Sequence, residues 1–369
     1  MWNVEICDVT LRDGEQTPGV AFTRDEKIAI ARQLDAIGIE VIEAGFPMVS
    51  EEECQTVRTI SREGLDARIC GLARAMRSDL EAALTAEVDM VALFMATSPI
   101  HLQYKYKKPL EDMLACIIDE IDYAKDHGIQ VRFGAEDASR TDVSTLIEVY
   151  SEVAEHHADL VTFADTTGCL TPLELQARLQ AILPHISLPC AIHCHNDLGC
   201  ATANTLTAAE LGAFQLHTTV NGIGERCGNA PLEEVLVGLR LKSGVNRYDL
   251  TEIPVLSQMV AEYTNIPIPI TKPIVGDHAF AHESGIHIAA MLEHPSTYEY
   301  VEPALLGSQR KFLLGKHTGR KALIHVLSMS GYAIPDEKID IILADIKQHS
   351  EGKGAVTPDF LRACIEKVV

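Results

Sequence analysis

The sequence predicts an α/β protein: a (β/α)8 TIM barrel followed by a linker and a small, mainly helical C-terminal region. The first two-thirds of the chain alternates short β-branched runs with amphipathic segments. Eight such pairs lie between residues 4 and 242, which matches the number and size of the units in a closed barrel. An open doubly wound sheet usually begins with a glycine fingerprint, but Gly222-x-Gly224 lacks the third glycine at the required spacing.

Each predicted strand is followed by a predicted helix. The predicted strands are Val4–Leu11, Ile39–Phe46, Ala67–Arg74, Val88–Ala96, Ile129–Glu136, Asp159–Asp165, Leu188–His195 and Phe214–Val220. The predicted helices are Thr23–Ile37, Glu51–Glu63, Ser78–Thr85, Leu110–His127, Asp142–His157, Thr171–Leu183, Gly199–Leu211 and Pro231–Lys242. Thr23 with Glu26 three residues later, and Thr171 followed by Pro172, are typical helix starts. Three glycines end a helix just before a strand: Gly38, Gly128 and Gly212.

The pattern changes after residue 242. Pro267, Pro269 and Pro273 predict an extended linker, because each proline removes a backbone donor and fixes φ. Further helices are predicted over Lys321–Met329, Asp336–Glu351 and Thr357–Val368. We therefore predict a catalytic barrel over residues 1–260, and a linker with a helical lid and dimerisation region over residues 261–369.

Composition excludes several functional classes. The net charge of −22 argues against nucleic acid as a partner, since phosphate binding needs a basic face. No apolar run is long enough to span a membrane, and the N-terminus lacks the basic region of a signal peptide. The ten cysteines form no Cys-x-x-Cys pair, so we expect reduced thiols in a cytoplasmic enzyme.

The most informative residues follow the predicted strands 1 and 7. Alternate side chains of a strand share a face, so His193 and His195 point the same way. Together with the carboxylate of Asp13 they make a facial set of two nitrogens and one oxygen, which leaves positions open for a substrate. The ordinary alternatives are a satisfied pair of polar side chains and, for Asp13-Gly14, a simple turn. Such ligands suit magnesium, manganese or zinc, and the sequence does not choose among them.

Many other polar residues lie where predicted strands end, which is the catalytic face of such a barrel. They are Arg12, Gln16, Glu43, Arg74, Arg132, Glu136, Asp165, Thr166, Asn221 and Glu225. So many ionisable groups around one mouth predict a divalent cation together with an anionic substrate. Arg132 shares a strand face with Gly134 and Glu136, which favours a role inside the mouth over a plain ion pair.

His282, His287 and Tyr298 lie beyond the predicted barrel. They are either surface residues of a helical region or part of a lid that brings a general base to the barrel mouth of a neighbouring subunit. The pattern alone does not choose between the two.

Three runs of residues resemble the signatures of one family. The runs at 8–16 (DVTLRDGEQ), 193–197 (HCHND) and 221–230 (NGIGERCGNA) are similar to those of the DRE-TIM metallolyases. Specifically, they resemble the Claisen-condensing branch, which contains 2-isopropylmalate, citramalate and homocitrate synthases. Residues 42–47, 272–276 and 314–319 look most like archaeal homocitrate synthases, which make 2-oxo dicarboxylates for coenzyme B. The small C-terminal region agrees, since leucine-regulated relatives usually carry a further regulatory domain.

The resemblance implies a condensation of acetyl-CoA, as co-substrate, with a 2-oxo acid. A divalent metal would be held by Asp13, His193 and His195 and would chelate and polarise the 2-oxo acid. The residues expected to bind the substrate are Arg12, Gln16, Glu43, Arg132 and Thr166. Arg12 would also stabilise developing charge, and Thr166 would bind the C1 carboxylate.

The resemblance also implies how the proton is removed. Glu136, coupled with His287 from a second subunit, would take the acetyl methyl proton, and Tyr298 would assist from the same lid. A homodimer that exchanges its lids between subunits is therefore expected.

Departures from the family pattern bear on the substrate. Met76 and Ala92 stand where lysine-pathway enzymes tend to have histidine and aspartate, and Gly134 stands where serine is common. Arg132 is retained and suits a distal carboxylate, so we predict 2-oxoglutarate, with longer homologues also accepted.

Two rival activities stay open at this point. Residues 92–99 resemble 2-isopropylmalate and citramalate synthases, which would need an apolar pocket. An acyl-CoA lyase of the same barrel family is the rival of another class. A non-enzymatic metal-binding role would not explain why Arg12, Gln16, Glu136 and Thr166 are expected to cluster around the metal.

Overall fold

The computed structural model describes residues 2–352 and 354–368, and it divides them into two compact units between Ile268 and Pro269. In the first unit, eight parallel strands form a closed barrel in sequence order. The strands are β1 (Glu5–Asp8), β2 (Val41–Gly45), β3 (Arg68–Arg74), β4 (Met90–Ala96), β5 (Gln130–Glu136), β6 (Leu160–Asp165), β7 (Cys190–Cys194) and β8 (Gln215–Thr218). The predicted fold class is confirmed.

The barrel closes between its first and last strands. Residues Glu5 to Asp8 of β1 pair in register with Gln215 to Thr218 of β8. Strands such as β4 are buried along almost their whole length on both faces, which is typical of parallel strands covered by helices. The carboxyl ends of all eight strands therefore meet at one face of the barrel.

Helices surround the barrel. They are α1 (Arg24–Ile37), α2 (Glu51–Ser61), α3 (Arg77–Thr85), α4 (Pro99–His101), α5 (Leu110–Asp126), α6 (Val143–Glu155), α7 (Pro172–Ile182), α8 (Ala201–Leu211), α9 (Leu232–Ser243) and α10 (Ile253–Thr264). Thr23 and Glu26 form a capping box that starts α1, which ends at Gly38 in the left-handed conformation. The start and stop signals in the sequence therefore act as predicted.

The second unit is mainly helical. It contains α11 (Gly285–Glu293), α12 (Arg320–Met329), α13 (Asp336–Glu351), α14 (Pro358–Glu366) and a parallel pair of two-residue strands, β9 (Ala281–His282) and β10 (Lys311–Phe312). The last three helices pack around a small apolar core of their own, which includes Leu323, Ile342, Ile346 and Leu361. No helix in the described ranges is both long and apolar enough to cross a membrane.

Candidate active site

A cavity of about 600 Å³ opens where the barrel strands end. Nine of the polar residues predicted from the sequence line it: Arg12, Asp13, Gln16, Arg132, Glu136, Thr166, His193, His195 and Glu225. Their convergence follows from the fold, because each lies at or just beyond the carboxyl end of a strand, or points into the barrel from one.

Three candidate metal ligands meet on one side of this cavity. His193 Nε2 lies 3.2 Å from His195 Nε2, and Asp13 Oδ2 lies 3.7 Å and 4.0 Å from these two nitrogens. All three residues are buried, and their candidate ligand atoms lie within 4.8 Å of one another. Two ligands that each bind one cation at roughly 2.1 Å and at right angles are about 3 Å apart, so the spacing fits a shared ion.

The protonation of these groups also fits a divalent cation. His195 Nδ1 lies 3.2 Å from the carbonyl oxygen of Gly228, which can only accept, so Nδ1 donates and Nε2 carries no hydrogen. Burial, helped by neighbouring His195, lowers the pKa of His193 to about 3. Burial alone would raise the pKa of Asp13, but Arg12 and the two histidines hold it well below its usual value. A carboxylate and two neutral imidazoles are therefore available as ligands.

A buried network of one carboxylate and two guanidinium groups lies beneath the cavity. Glu43 is fully buried and accepts hydrogen bonds from Arg12 Nε and from an Nη of Arg132, one on each oxygen. Burial alone would raise the pKa of Glu43, but the two guanidinium groups outweigh it and lower that pKa. Glu43 was expected to bind substrate, but it is not among the residues that line the cavity. This expectation is corrected: both of its oxygens are occupied, and it anchors Arg12 and Arg132 instead.

Arg132 reaches the cavity from β5, and some of its N–H groups already have acceptors. It donates to Glu43, to Gln215 Oε1 at 2.9 Å and to Cys7 Sγ at 3.1 Å. A guanidinium has five N–H groups, so within the described part of the chain two remain for a substrate.

Glu136 lies on the same wall and has a partner that the sequence did not predict. Lys105 Nζ lies 2.7 Å from both of its carboxylate oxygens. Lys105 belongs to a π-helical turn, Leu102–Tyr106, after β4, and its side chain is 43% exposed. The Glu136 carboxylate therefore faces the cavity and is ion-paired with Lys105.

Two further polar groups complete the lining. Gln16 is exposed on the short turn that follows Asp13. Thr166 Oγ1 accepts the backbone N–H of Asp137 at 2.8 Å, which leaves its hydroxyl hydrogen to donate. Arg226 holds the loop beside it by donating to the Thr166 carbonyl and to both oxygens of Asp197.

The two residues expected to act from a lid lie in the second unit. His287 in α11 and Tyr298 are stacked, with ring centroids 3.9 Å apart. Tyr298 is 46% exposed. Nearby, His282 Nε2 lies 3.5 Å from Glu299, whose carboxylate also pairs with Arg310.

Sequence reasoning missed Lys105, His217 and Asn229. His217 points into the barrel from β8, and strand alternation from Gln215 could have found it. Asn229 lies inside a recognised signature and donates to Asp13 Oδ1 at 2.7 Å. No pattern in the sequence marks Lys105 as a site residue, because it lies in a lysine-rich segment of the kind usually found on a solvent-exposed surface. Arg74, by contrast, does not line the cavity and pairs with Asp79 in the first turn of α3.

Comparison with known proteins adds the family relationship. The HMGL-like family matches residues 3–260, and the homocitrate synthase post-HMGL domain-like family matches residues 274–354. The chain is 51% identical to the homocitrate synthase AksA of Methanosarcina acetivorans, over 95% of this chain and 87% of that protein. It is 47% identical to a probable 2-isopropylmalate synthase of Methanopyrus kandleri, over 94% of this chain and 69% of that protein.

The barrel has counterparts of known structure. An HMG-CoA lyase of Bacillus subtilis superposes with a TM-score of 0.66 at 22% identity, over 73% of this chain and 96% of that chain. At that identity the likeness shows the barrel fold alone.

Proposed function

Because the chain belongs to the HMGL-like family, the DRE-TIM metallolyases, we propose that it is a homocitrate synthase. It would condense acetyl-CoA and 2-oxoglutarate with water to give homocitrate and CoA. It is then an acyltransferase in which the acetyl group becomes an alkyl group on transfer. The observation that carries this proposal is the convergence of Asp13, His193 and His195 beside Arg12 in one cavity.

The residues at the centre of the cavity have complementary roles. A divalent cation (magnesium, manganese or zinc) held by Asp13, His193 and His195 would act there as a Lewis acid toward the 2-carbonyl group. Arg12, fixed by Glu43 and by Asp13 at 2.5 Å, stabilises negative charge that develops on the oxygen of the attacked carbonyl. Thr166 donates its free hydroxyl hydrogen to the C1 carboxylate, and Gln16 orients the substrate at the mouth.

Glu136 is the proposed base for the methyl proton of acetyl-CoA. In the observed arrangement both of its oxygens are engaged by Lys105. Each oxygen keeps a second lone pair that can take the proton, and the partly exposed side chain of Lys105 can move aside as Glu136 loses its charge. The arrival of a second anion, such as the substrate, gives the lysine an alternative partner.

The distal carboxylate of the 2-oxo acid is proposed to bind Arg132 through its two remaining N–H donors. Gly134 lines the cavity without a side chain, and a Cβ built there would be in van der Waals contact with Phe94 Cβ at 3.4 Å, so any larger residue would take up cavity space. We therefore propose that longer 2-oxo dicarboxylates are also accepted.

A second candidate function is 2-isopropylmalate or citramalate synthase. Two observations favour it. The cavity has an apolar wall, formed by Leu72, Ala92, Leu93 and Phe94, and Arg132 already has Glu43 as a partner. A third candidate function is that of an acyl-CoA lyase, since an HMG-CoA lyase shares the barrel fold.

One assay separates these activities. Free thiol released from acetyl-CoA is measured with 2-oxoglutarate, 2-oxoadipate, pyruvate and 2-oxoisovalerate in turn. Homocitrate synthase predicts the highest kcat/KM with a dicarboxylate, and a clear preference for pyruvate or 2-oxoisovalerate would contradict it. A lyase would release no thiol and would instead break a carbon–carbon bond within the acyl group of an acyl-CoA, leaving the thioester intact. An Asp13→Asn variant controls for thiol release that does not need the site.

We further propose that His287 and Tyr298 complete the site of a partner subunit in a homodimer. The stacked pair presents an imidazole and a phenol together, which suits proton transfer. Mixing the inactive variants Asp13→Asn and His287→Ala tests this, because exchanged lids leave one intact site in a mixed dimer. Activity should return to about a quarter of the wild-type value. If the lid acts within its own chain, no mixed dimer can hold an intact site and activity stays absent.

A further inference from the structure

Thr162 is a buried residue of the cavity wall that the mechanism proposed above does not use. It belongs to β6, lines the cavity and is 4% exposed. Its Oγ1 atom has no hydrogen-bond partner among the residues that the structure describes. A hydroxyl that is buried without a partner raises the free energy of the folded protein. A ligand in the cavity that accepts its hydrogen removes this cost.

The neighbours of Thr162 in the barrel sheet are small. Thr162 pairs with Gly134 on β5 and with Ala191 on β7. Paired residues of adjacent strands point to the same face of a sheet, so only a hydrogen atom and a methyl group flank the hydroxyl inside the barrel. Ala191 pairs in turn with Gln215 on β8. Gln215 Oε1 accepts a hydrogen bond from Arg132 Nη1 at 2.9 Å, so the guanidinium is held at the end of this row.

This row of pairs brings two hydrogen-bond donors to the same depth of the cavity. Neighbouring strands are about 4.8 Å apart, so the Cα atoms of Thr162 and Gln215, two strands apart, are separated by about 10 Å. That spacing suits one carboxylate that accepts from both the hydroxyl and the guanidinium, since hydrogen bonds of about 2.8 Å on its two sides span about 5–7 Å.

Thr162 lies too far from Thr166 to bind the same carboxylate. The two residues are four positions apart, which is about 13 Å in an extended strand. A fully extended 2-oxoglutarate with a hydrogen bond at each end has a similar length, about 12 Å. If Thr166 binds the C1 carboxylate, the other carboxylate therefore reaches Thr162.

We propose that Thr162 is a specificity-determining residue: its hydroxyl donates a hydrogen bond to the distal carboxylate of the 2-oxo acid, beside the guanidinium of Arg132. The inference rests on the proposed function and names a second group that recognises a dicarboxylate. An alkyl tail cannot accept the hydrogen, so its binding leaves the hydroxyl buried and unpaired. The hydroxyl therefore discriminates against 2-oxoisovalerate.

Steady-state kinetics of Thr162→Val test this role, because valine has nearly the shape of threonine but no hydroxyl. We expect kcat/KM for 2-oxoglutarate to fall at least about 10-fold, mainly through KM, which is the usual effect of losing a hydrogen bond to a charged group. The value for 2-oxoisovalerate should not fall. Thr162→Ser keeps the hydroxyl and should keep the preference for the dicarboxylate. An equal loss in both variants would overturn the role of the hydroxyl.

Thermal unfolding of the ligand-free protein distinguishes recognition from a structural role. Thr162→Val should leave Tm unchanged or raise it, because the hydroxyl that it removes has no partner on the described chain; a hydroxyl that stabilises the fold would lower Tm when removed. Thr56→Val is the matched control. Thr56 is 3% exposed, its Oγ1 donates to the Glu52 carbonyl at 2.8 Å, and it does not line the cavity. Its substrate preference should equal that of the wild type.

The wild-type protein separates two kinds of failure. If it shows no preference for 2-oxoglutarate over 2-oxoisovalerate, the proposed function fails, and this inference fails with it. If it prefers 2-oxoglutarate and folded Thr162→Val keeps that preference, only the role of Thr162 is refuted.

Discussion

Neutralising Glu43 is the most direct test of the network beneath the cavity. Glu43 is completely buried, and Arg132 is 3% exposed. The substitution Glu43→Gln keeps the shape of the side chain but removes its charge and puts an amide NH₂ against a guanidinium. One of the two contacts then becomes donor against donor. Arg12 retains Asp13 as a partner, whereas Arg132 is left with the neutral acceptors Cys7 and Gln215.

The expected cost follows from these partners. Removing one member of a buried ion pair usually destabilises a protein by about 3–5 kcal/mol, because the other charge stays buried. Since each arginine keeps at least one acceptor, we expect a loss of about 3 kcal/mol, at the lower end of that range. We also expect kcat to fall, because Arg12 loses the contact that fixes its position.

Urea unfolding followed by the fluorescence of Trp2 measures this loss. Trp2 is the only tryptophan of the chain and belongs to the barrel unit, so its signal reports on the barrel rather than on the C-terminal unit. Glu43→Asp is the matched control, since it retains the charge and should lose less stability. If Glu43→Gln lowers the free energy of unfolding by under about 1 kcal/mol, the buried pairs do not stabilise the barrel as argued.

Three further outcomes are expected. Burial raises the pKa of Asp8 from 3.8 to about 7, so its contribution to stability is complete below pH 3.8 and is lost as the pH rises to 7. Asp8→Asn should remove up to about 4 kcal/mol of this pH dependence, measured by unfolding at pH 4 and pH 8, and an unchanged slope would contradict the assignment. Gly134→Ser should lower kcat/KM for 2-oxoadipate relative to 2-oxoglutarate, because a hydroxymethyl group fits there and shortens the cavity; Gly134→Ala should show a smaller change. Divalent cation at 100 times its Kd should stabilise the barrel by about 2.7 kcal/mol, measured by thermal unfolding with and without a chelator, and Asp13→Asn should abolish this gain.

The barrel could be predicted from the sequence because its signals are local. Capping residues, glycine stops and buried β-branched runs located every strand and its following helix to within a few residues. The first strand was predicted too long, since Val9 and Leu11 are buried like strand residues. The chain turns there instead, with the N–H groups of Asp13 and Gly14 donating to the Val9 carbonyl, and this turn brings Arg12 and Asp13 over the mouth. Three helices, α4, α10 and α11, were not predicted: α4 has only three residues, and α10 and α11 flank the proline-containing segment that was read as a linker.

The site was predictable only in part. His193 and His195 follow from strand alternation, and Asp13 from its place after the first strand. The pairing of Glu43 with Arg132 joins β2 to β5 across the barrel interior, and no local pattern specifies which inward side chains meet there. The contact between Lys105 and Glu136 depends on the path of the loop after β4, which includes a π-helical turn and Lys107 with φ of +53°.

The closure of the barrel has a consequence for the order of events in folding. Asp13 lies in the turn after the first strand and accepts a hydrogen bond from Asn229, which follows the last strand, whereas the two imidazoles lie at the end of the seventh strand. Positions 13 and 193 are 180 residues apart, so Asp13 is synthesised long before His193 and His195. An ion that all three groups bind must therefore be bound late in folding, after the first and last strands have paired. The rate at which a chelator removes the ion would therefore measure local opening between the first and last strands, which needs less free energy than unfolding of the whole barrel.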